Sequence, residues 1–229
     1  MPMVELPGGP TLRYREWGRP DGAVVLMLHG TGSDGSTWRH VAPVLGEHFR
    51  VIAPDLRGHA DSEWPVDYSM ELFRDDVVAL LDALGVLGAI VVGHSLGGLI
   101  AFSVAATHPD LVRMLVLEEM PPPDAASPPR PLPMHPDPAE RTDWHAVIAV
   151  RRWRNASHPD WWRLANQITA PTLVLAGRRS DLDHARMKEL SSAIPRARYV
   201  ATDLGHDLHT ERPSVFLREV EPFIAGYAK

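Results

Sequence analysis

The chain of 229 residues contains no cysteine. Disulfide bonds, thiolate metal ligands and a cysteine nucleophile are therefore excluded, and the composition suits a reducing compartment, so we expect a cytoplasmic location. Positive charge is also scarce, because 23 Lys and Arg residues face 29 Asp and Glu residues, which gives a formal net charge of −6. Nucleic-acid-binding proteins usually need a basic surface to neutralise phosphates, so we expect no nucleic-acid partner.

Long apolar runs are missing as well. No run reaches the roughly 18 residues that a transmembrane helix needs, so we expect no membrane span. The N-terminal stretch MPMVELPGGPTLRYREWG lacks the basic and apolar regions of a signal peptide. The hydrophobic share is nevertheless 45%, which is ordinary for a globular protein. The length fits a single α/β domain with a large core.

Hydrophobic periodicity predicts alternating strands and helices. Near-continuous apolar runs such as AVVLMLHG, RVIAPDL and GAIVVGHS are typical of parallel strands that are covered on both faces. Between them, TWRHVAPVLGEHF, MELFRDDVVALLDAL and LIAFSVAATHP are predicted to be helices. The fold class is therefore α/β, a mostly parallel sheet with helices on both faces.

A proline-rich stretch, PPPDAASPPRPLPMHPDP, interrupts this alternation. Proline has no N–H for a helix or a ladder, so the stretch is predicted to be a connector. Two short helices, DWHAVIAVRRWRNA and PDWWRLANQI, follow it. We predict a core formed by residues 1–120 and 170–229 and a small helical cap at 121–169. The Trp and Arg residues of the cap fit packing and solvation better than a pocket for an acidic substrate group.

The stretch IVVGHSLGGLIAF contains the G-x-S-x-G pattern, with Ser95 between Gly93 and Gly97. The pattern stands after a predicted strand and before a predicted helix. There it forms a sharp turn that lifts a serine hydroxyl above the carboxyl edge of the sheet, and glycine is needed at the flanking positions. A plain Gly/Ser turn is the alternative, but the strand–turn–helix context favours Ser95 as a nucleophile.

A serine nucleophile needs a base and an acid, which in this architecture follow the serine on later loops. His206 comes just after the last predicted strand and is the predicted base, with His209 as its nearest rival. Asp181, after the strand APTLVLAG, is the preferred acid. The rival acids are Asp183, two residues further on, and Glu118 and Glu119, which end the earlier strand LVRMLVLEE.

An oxyanion needs two preorganised donors. The glycine-rich loop Leu28–Gly32 follows an early strand and can supply the backbone N–H of Thr31. The second donor is the N–H of Leu96, directly after the nucleophile. A flexible turn is the alternative for this loop.

Five stretches of the chain resemble the α/β-hydrolase superfamily: LMLHGTGSDGSTW, IAPDLRGHADS, VVGHSLGG, PTLVLAGRRSD and LGHDLHTERPSVF. The resemblance implies a triad of Ser95, Asp181 and His206, oxyanion donors Thr31 and Leu96, no cofactor and no metal. In some relatives the acid follows the earlier strand, which keeps Glu119 as a candidate.

The expected activity is hydrolysis of a carboxylic ester, lactone or thioester of a small-molecule acyl substrate through an acyl-enzyme. Relatives that attack halides or epoxides use an aspartate where this chain has Ser95. A C–C bond hydrolase or a perhydrolase is the alternative within the fold. Relatives that hydrolyse C–C bonds usually carry a tryptophan directly after the catalytic histidine, and Asp207 at this position argues against that activity. A catalytically silent binding protein is the alternative from another class. The sequence leaves the oligomeric state unknown.

Overall fold

The computed structural model describes residues 1–123, 128–135 and 141–227. Eight strands lie within them: β1 (Met3–Glu5), β2 (Thr11–Gly18), β3 (Val24–Leu28), β4 (Arg50–Pro54), β5 (Ala89–His94), β6 (Val112–Glu118), β7 (Thr172–Gly177) and β8 (Ala197–Thr202). They form one sheet in the order β1-β2-β4-β3-β5-β6-β7-β8. Pairing is antiparallel for β1–β2 and β2–β4 and parallel for all the others, so the predicted mostly parallel sheet is confirmed.

Eight α-helices accompany the described strands: α1 (Ala42–Leu45), α2 (Met70–Ala83), α3 (Leu96–Thr107), α4 (Trp144–Asn155), α5 (Trp161–Gln167), α6 (His184–Ala193), α7 (Leu208–Glu211) and α8 (Pro213–Ile224). Short 3₁₀ helices span Gly35–His40, Pro109–Leu111 and Ala225–Tyr227. Among the described helices, none is both long and apolar enough to cross a membrane.

The core has two parts, one on each face of the sheet. Successive side chains of a strand point to opposite faces, so Leu26 and Leu28 of β3 enter one part while Val25 and Met27 enter the other. Residues of α2 to α6 cover the first face, and residues of α1, α7 and α8 cover the second. Helices therefore pack on both faces, as the apolar strands predict.

One predicted helix is wrong. The stretch TWRHVAPVLGEHF is broken into the 3₁₀ helix Gly35–His40 and the short α1. Pro43 lies at the start of α1, and a proline has no N–H to continue a preceding helix. The N–H of Val41 instead bonds to the carbonyl of Trp38 at 3.0 Å and closes the 3₁₀ turn.

The segment between β6 and β7 holds α4 and α5, the two helices predicted for the cap. The loop after β4 is joined to this segment: Ala60 N–H donates to the carbonyl of Arg141 at 2.7 Å, and Asp143 N–H donates to the carbonyl of Gly58 at 2.7 Å. Parts of the proline-rich connector, 124–127 and 136–140, lie outside the described residues. The cap boundaries at 121 and 169 stay a prediction.

Strand register fixes where the functional side chains meet. β5 lies between β3 and β6, and the ladder pairs Leu28 with Gly93 and His94 with Glu118. The next strand over pairs Glu118 with Leu175. All of these strands end at the same carboxyl edge, so the loops after β3, β5, β6 and β7 converge there.

Candidate active site

Ser95 occupies a strained turn between β5 and α3. Its backbone has φ 51° and ψ −107°, in a region that non-glycine residues rarely adopt. A Cβ on Gly93 would lie 2.3 Å from the carbonyl oxygen of Gly97, and a Cβ on Gly97 would lie 2.1 Å from that of Leu28. Only glycine fits at these two positions, so the sequence permits the turn that lifts Ser95 out of the sheet.

The serine is partly exposed in an otherwise buried stretch. Its backbone N–H is anchored on the carbonyl of Glu118 at 3.0 Å. Its hydroxyl forms no hydrogen bond with any of the described residues, although the residues on both sides of Ser95 in the sequence are buried. The Oγ is therefore held in place by the backbone and is free to meet another molecule.

The loop after β3 packs directly against this turn. A Cβ on Gly30 would lie 3.3 Å from Cβ of Ser95, and the N–H of Gly97 donates to the carbonyl of His29 at 3.0 Å. The N–H groups of Thr31 and Leu96 have no hydrogen-bond partner within the described part of the chain. The loop that carries Thr31 thus contacts the turn of Ser95, and Leu96 directly follows Ser95 in the chain.

His206 meets a buried carboxylate, that of Glu119. Its Nδ1 lies 3.2 Å from Oε2 of Glu119, which has no exposed surface, while the side chain of His206 is 39% exposed. The hydrogen bond with Glu119 raises the pKa of His206 above its ordinary value of 6.5, although burial acts in the opposite direction. Because Nδ1 donates to Glu119, Nε2 of the neutral ring is the nitrogen that can accept a proton.

Glu119 is itself fixed on both sides. The N–H of Gly177 donates to its Oε1 at 2.6 Å, and its own N–H donates to the carbonyl of Leu175 at 2.9 Å. Its backbone also has a positive φ of 51°, which bends the chain away from β6 and turns the side chain toward β7. The carboxylate is therefore preorganised for His206.

The structure does not bring Asp181, the preferred acid, to His206. Asp181 is exposed and forms no hydrogen bond or ion pair with His206 among the described residues. The chain turns directly after β7, where the N–H of Ser180 donates to the carbonyl of Gly177 at 2.8 Å. Asp181 follows this turn and is exposed to solvent. Asp183, the second rival, accepts from the N–H of Arg186 at 3.1 Å and caps α6.

The remaining rivals form a second pair. Nδ1 of His209 contacts both oxygens of Glu118, at 2.9 and 2.8 Å, and both residues are fully buried. His209 therefore has no access to a substrate at the surface. The place of Glu119 at the end of LVRMLVLEE made it a candidate acid. The backbone bend that separates Glu119 from Glu118 leaves no mark in the sequence.

His94 links the turn to the base. Burial lowers the pKa of His94 to about 4, so its ring is neutral at pH 7. Its Nε2 donates to the carbonyl of His206 at 3.0 Å, and the two rings lie 4.6 Å apart. His94, the residue directly before Ser95, thus holds the backbone of His206. Sequence reasoning missed this role of His94.

No group of three or more His, Asp or Glu residues in the described ranges is arranged to hold a metal ion. Trp161 of the cap segment packs on the core, because its ring stacks on Phe102 with ring centroids 4.0 Å apart. Arg186 lies over Trp162 at 5.1 Å from the ring centroid.

Comparison with known proteins agrees with this architecture. The sequence profile of the alpha/beta hydrolase fold family matches residues 23–140, slightly more than half of the chain. A 2-hydroxymuconate semialdehyde hydrolase from Pseudomonas sp. (strain CF600) is 44% identical over 101 residues, which cover 42% of this chain and 36% of that protein. The chain covers less than half the length of the curated relatives that it matches.

Solved structures match over nearly the whole chain. The enol-lactonase from Burkholderia xenovorans LB400 superposes with a TM-score of 0.85 at 26% identity, covering 98% of this chain and 100% of that one. A thermophilic esterase from Thermogutta terrifontis has a TM-score of 0.86 at 24% identity and covers 100% of both chains. The strand order, the strained serine turn and these matches agree: the chain belongs to the α/β-hydrolase fold family.

Proposed function

We propose that this protein is a serine hydrolase that cleaves a carboxylic ester, lactone or thioester of a small molecule. The proposed triad is Ser95 as nucleophile, His206 as base and Glu119 as acid. The observation that carries the proposal is the Glu119–His206 hydrogen bond near the strained turn of Ser95. It pairs an acid with a base, and His94, the residue directly before Ser95, holds the backbone of that base.

The chemistry follows from these positions. Ser95 Oγ attacks the carbonyl carbon of the substrate, and its proton passes to Nε2 of His206 while Nδ1–H stays on Glu119. His206 then protonates the leaving group. A water molecule, deprotonated in turn by His206, hydrolyses the acyl-enzyme.

The negative charge of each tetrahedral intermediate falls on the substrate oxygen. The N–H groups of Thr31 and Leu96 bind this oxygen, and losing one such donor typically costs about 3–4 kcal/mol of transition-state stabilisation. Catalytic hydrogen bonds are often long or absent before substrate is bound, which fits the free hydroxyl of Ser95.

The names of relatives support an acyl substrate. The enol-lactonase that this chain resembles at 26% identity acts on a lactone by its name. A lipase from Mycobacterium tuberculosis is 39% identical over 106 residues, which cover 46% of this chain and 40% of that protein.

A cytoplasmic location stays a prediction from the absence of cysteine.

A second candidate function is hydrolysis of a 2-hydroxymuconate semialdehyde-like compound, as the name of the 44% identical relative indicates. Its support is the sequence match alone. Assaying 2-hydroxymuconate semialdehyde beside p-nitrophenyl esters separates the candidates: higher kcat/KM for the semialdehyde would favour the second one.

The test of the first candidate is turnover of p-nitrophenyl esters of increasing acyl length. We expect the wild type to be active and Ser95→Ala to lose about 10⁶-fold in kcat, because members of a triad act as a unit. Incubation with a fluorophosphonate should also add one phosphonyl group at Ser95, seen by intact mass. A folded wild type that neither turns over esters nor takes the label would favour a silent binding protein.

A further inference from the structure

A second polar chain runs beside the proposed triad and contributes no atom to it. Glu118 accepts from the backbone N–H of His209 at 3.0 Å as well as from its ring. On the other side of the ring, Nε2 of His209 lies 2.8 Å from Oγ1 of Thr37. Glu118, His209 and Thr37 thus form one continuous hydrogen-bonded chain, called here the buried chain.

The ring of His209 cannot rotate within this environment. Trp38 stacks on it with ring centroids 4.0 Å apart, and His94 meets its edge at 5.0 Å. With Nδ1–H on Glu118, Nε2 accepts the Thr37 hydroxyl when the ring is neutral and donates to Oγ1 when it is charged. The contact with Thr37 is therefore kept in either protonation state.

The buried chain joins three of the four loops that supply the proposed catalytic groups, those of Glu119, His206 and Thr31. Glu118 directly precedes Glu119, and His209 lies in α7, just after the loop that holds His206. Thr37 lies in the 3₁₀ helix that continues the loop of Thr31. One rigid connection therefore runs from the acid loop through the base loop to the oxyanion loop.

His94 also connects the buried chain to the proposed base, His206. Its ring edge meets His209, and its Nε2 donates to the carbonyl of His206 at 3.0 Å. Any shift of the His209 ring is transmitted through this packed contact to the backbone of His206, since close-packed interiors transmit strain.

We propose that Thr37 and His209 are positioning residues, which set the distance between His206 and the oxyanion donor of Thr31. This inference rests on the proposed function. Reacting groups must be held within a fraction of an ångström, and a misplacement of about 1 Å can cost 10²-fold in rate. The connection acts in the chemical step, so its loss should lower kcat and leave KM almost unchanged.

The test compares Thr37→Val with Thr37→Ser in p-nitrophenyl ester turnover. Valine has the same shape without the hydroxyl, whereas serine keeps it. We expect Thr37→Val to lose about 10-fold in kcat with KM within about two-fold of wild type. Thr37→Ser should recover kcat to within about two-fold. A wild-type kcat for Thr37→Val, or an equal loss in both variants, would overturn the inference.

The same samples separate this inference from the proposed function. Fluorophosphonate labelling is followed by intact mass in wild type, Ser95→Ala and Thr37→Val. Labelling of wild type but not of Ser95→Ala supports the proposed nucleophile, and slower labelling of Thr37→Val then supports the buried chain. Equal labelling rates for wild type and Thr37→Val overturn the positioning role of Thr37 and His209 but leave the proposed nucleophile in place. An unlabelled wild type overturns both.

Discussion

Two Glu–His pairs lie side by side at the carboxyl edge of the sheet. In one, Glu119 holds His206, whose side chain is 39% exposed; in the other, Glu118 holds His209, and neither has any exposed surface. The two pairs use neighbouring acids at the end of β6 and two histidines that lie three residues apart, His206 just before α7 and His209 within it. They differ mainly in access to solvent.

This difference supports the roles that we propose for the two pairs. A base must reach a substrate and exchange protons; the half-exposed His206 meets this requirement and the fully buried His209 does not. A fully buried pair with all its hydrogen bonds made fixes the chain instead. Under the proposed function, the same residue types at the same edge serve chemistry in one pair and architecture in the other.

The largest expected effect compares the two histidines. Replacing the base, His206→Ala, should reduce kcat for a p-nitrophenyl ester by about 10⁶-fold, since the triad then lacks its proton acceptor. His209→Asn should lose only about 10-fold to 100-fold, because it removes positioning and no reacting group. Steady-state kinetics of the two purified variants measure both losses of kcat. Similar losses in the two variants would contradict the different roles proposed for His206 and His209.

The next effect compares the acids. Glu119→Gln should lower kcat by about 10⁴-fold, because the amide does not stabilise the imidazolium that forms on His206. Glu118→Gln should cost far less, since Glu118 has no contact with His206. Single-turnover rates with an activated ester measure both variants, and a more damaged Glu118→Gln would reverse the assignment.

Stability should show the opposite order. His209→Ala leaves the Glu118 carboxylate buried without its partner, and breaking such a pair costs about 3–5 kcal/mol. His206→Ala should cost only about 1–2 kcal/mol, because the gap opens to water and Gly177 still donates to Glu119. Urea unfolding at pH 7 gives both values; a larger cost for His206→Ala would contradict the comparison.

The smallest effect belongs to the acid preferred on sequence grounds. Asp181→Asn should leave kcat/KM within about two-fold of wild type, because Asp181 is exposed and does not contact His206. The same ester assay measures it. A loss approaching that of Glu119→Gln would return the role of acid to Asp181.

The sequence predicted the parts of this site that depend on local patterns. The G-x-S-x-G turn follows from sterics, and apolar runs located the strands after which His206 and the loop of Thr31 lie. The family resemblance supplied the order of the parts. The α/β fold class is confirmed, and every strand that was predicted is present.

The choice among acids could not be made in this way. Asp181 and Glu119 both follow strands that end at the same edge, so position alone does not separate them. The choice depends on the positive φ of Glu119 and on the tight turn that carries Asp181 outward. Both are features of backbone direction and tertiary packing, and residue types do not encode them locally.

The most direct test of the account is an NMR titration of the His206 ring in wild type, Glu119→Gln and Asp181→Asn. The hydrogen bond with Glu119 favours the charged ring, so we expect a wild-type pKa above 6.5. Glu119→Gln should lower this pKa, and the acid limb of kcat/KM should move to lower pH with it, because His206 must be neutral to act as base. Asp181→Asn should leave the pKa unchanged. A pKa that falls in Asp181→Asn and stays constant in Glu119→Gln would contradict the account.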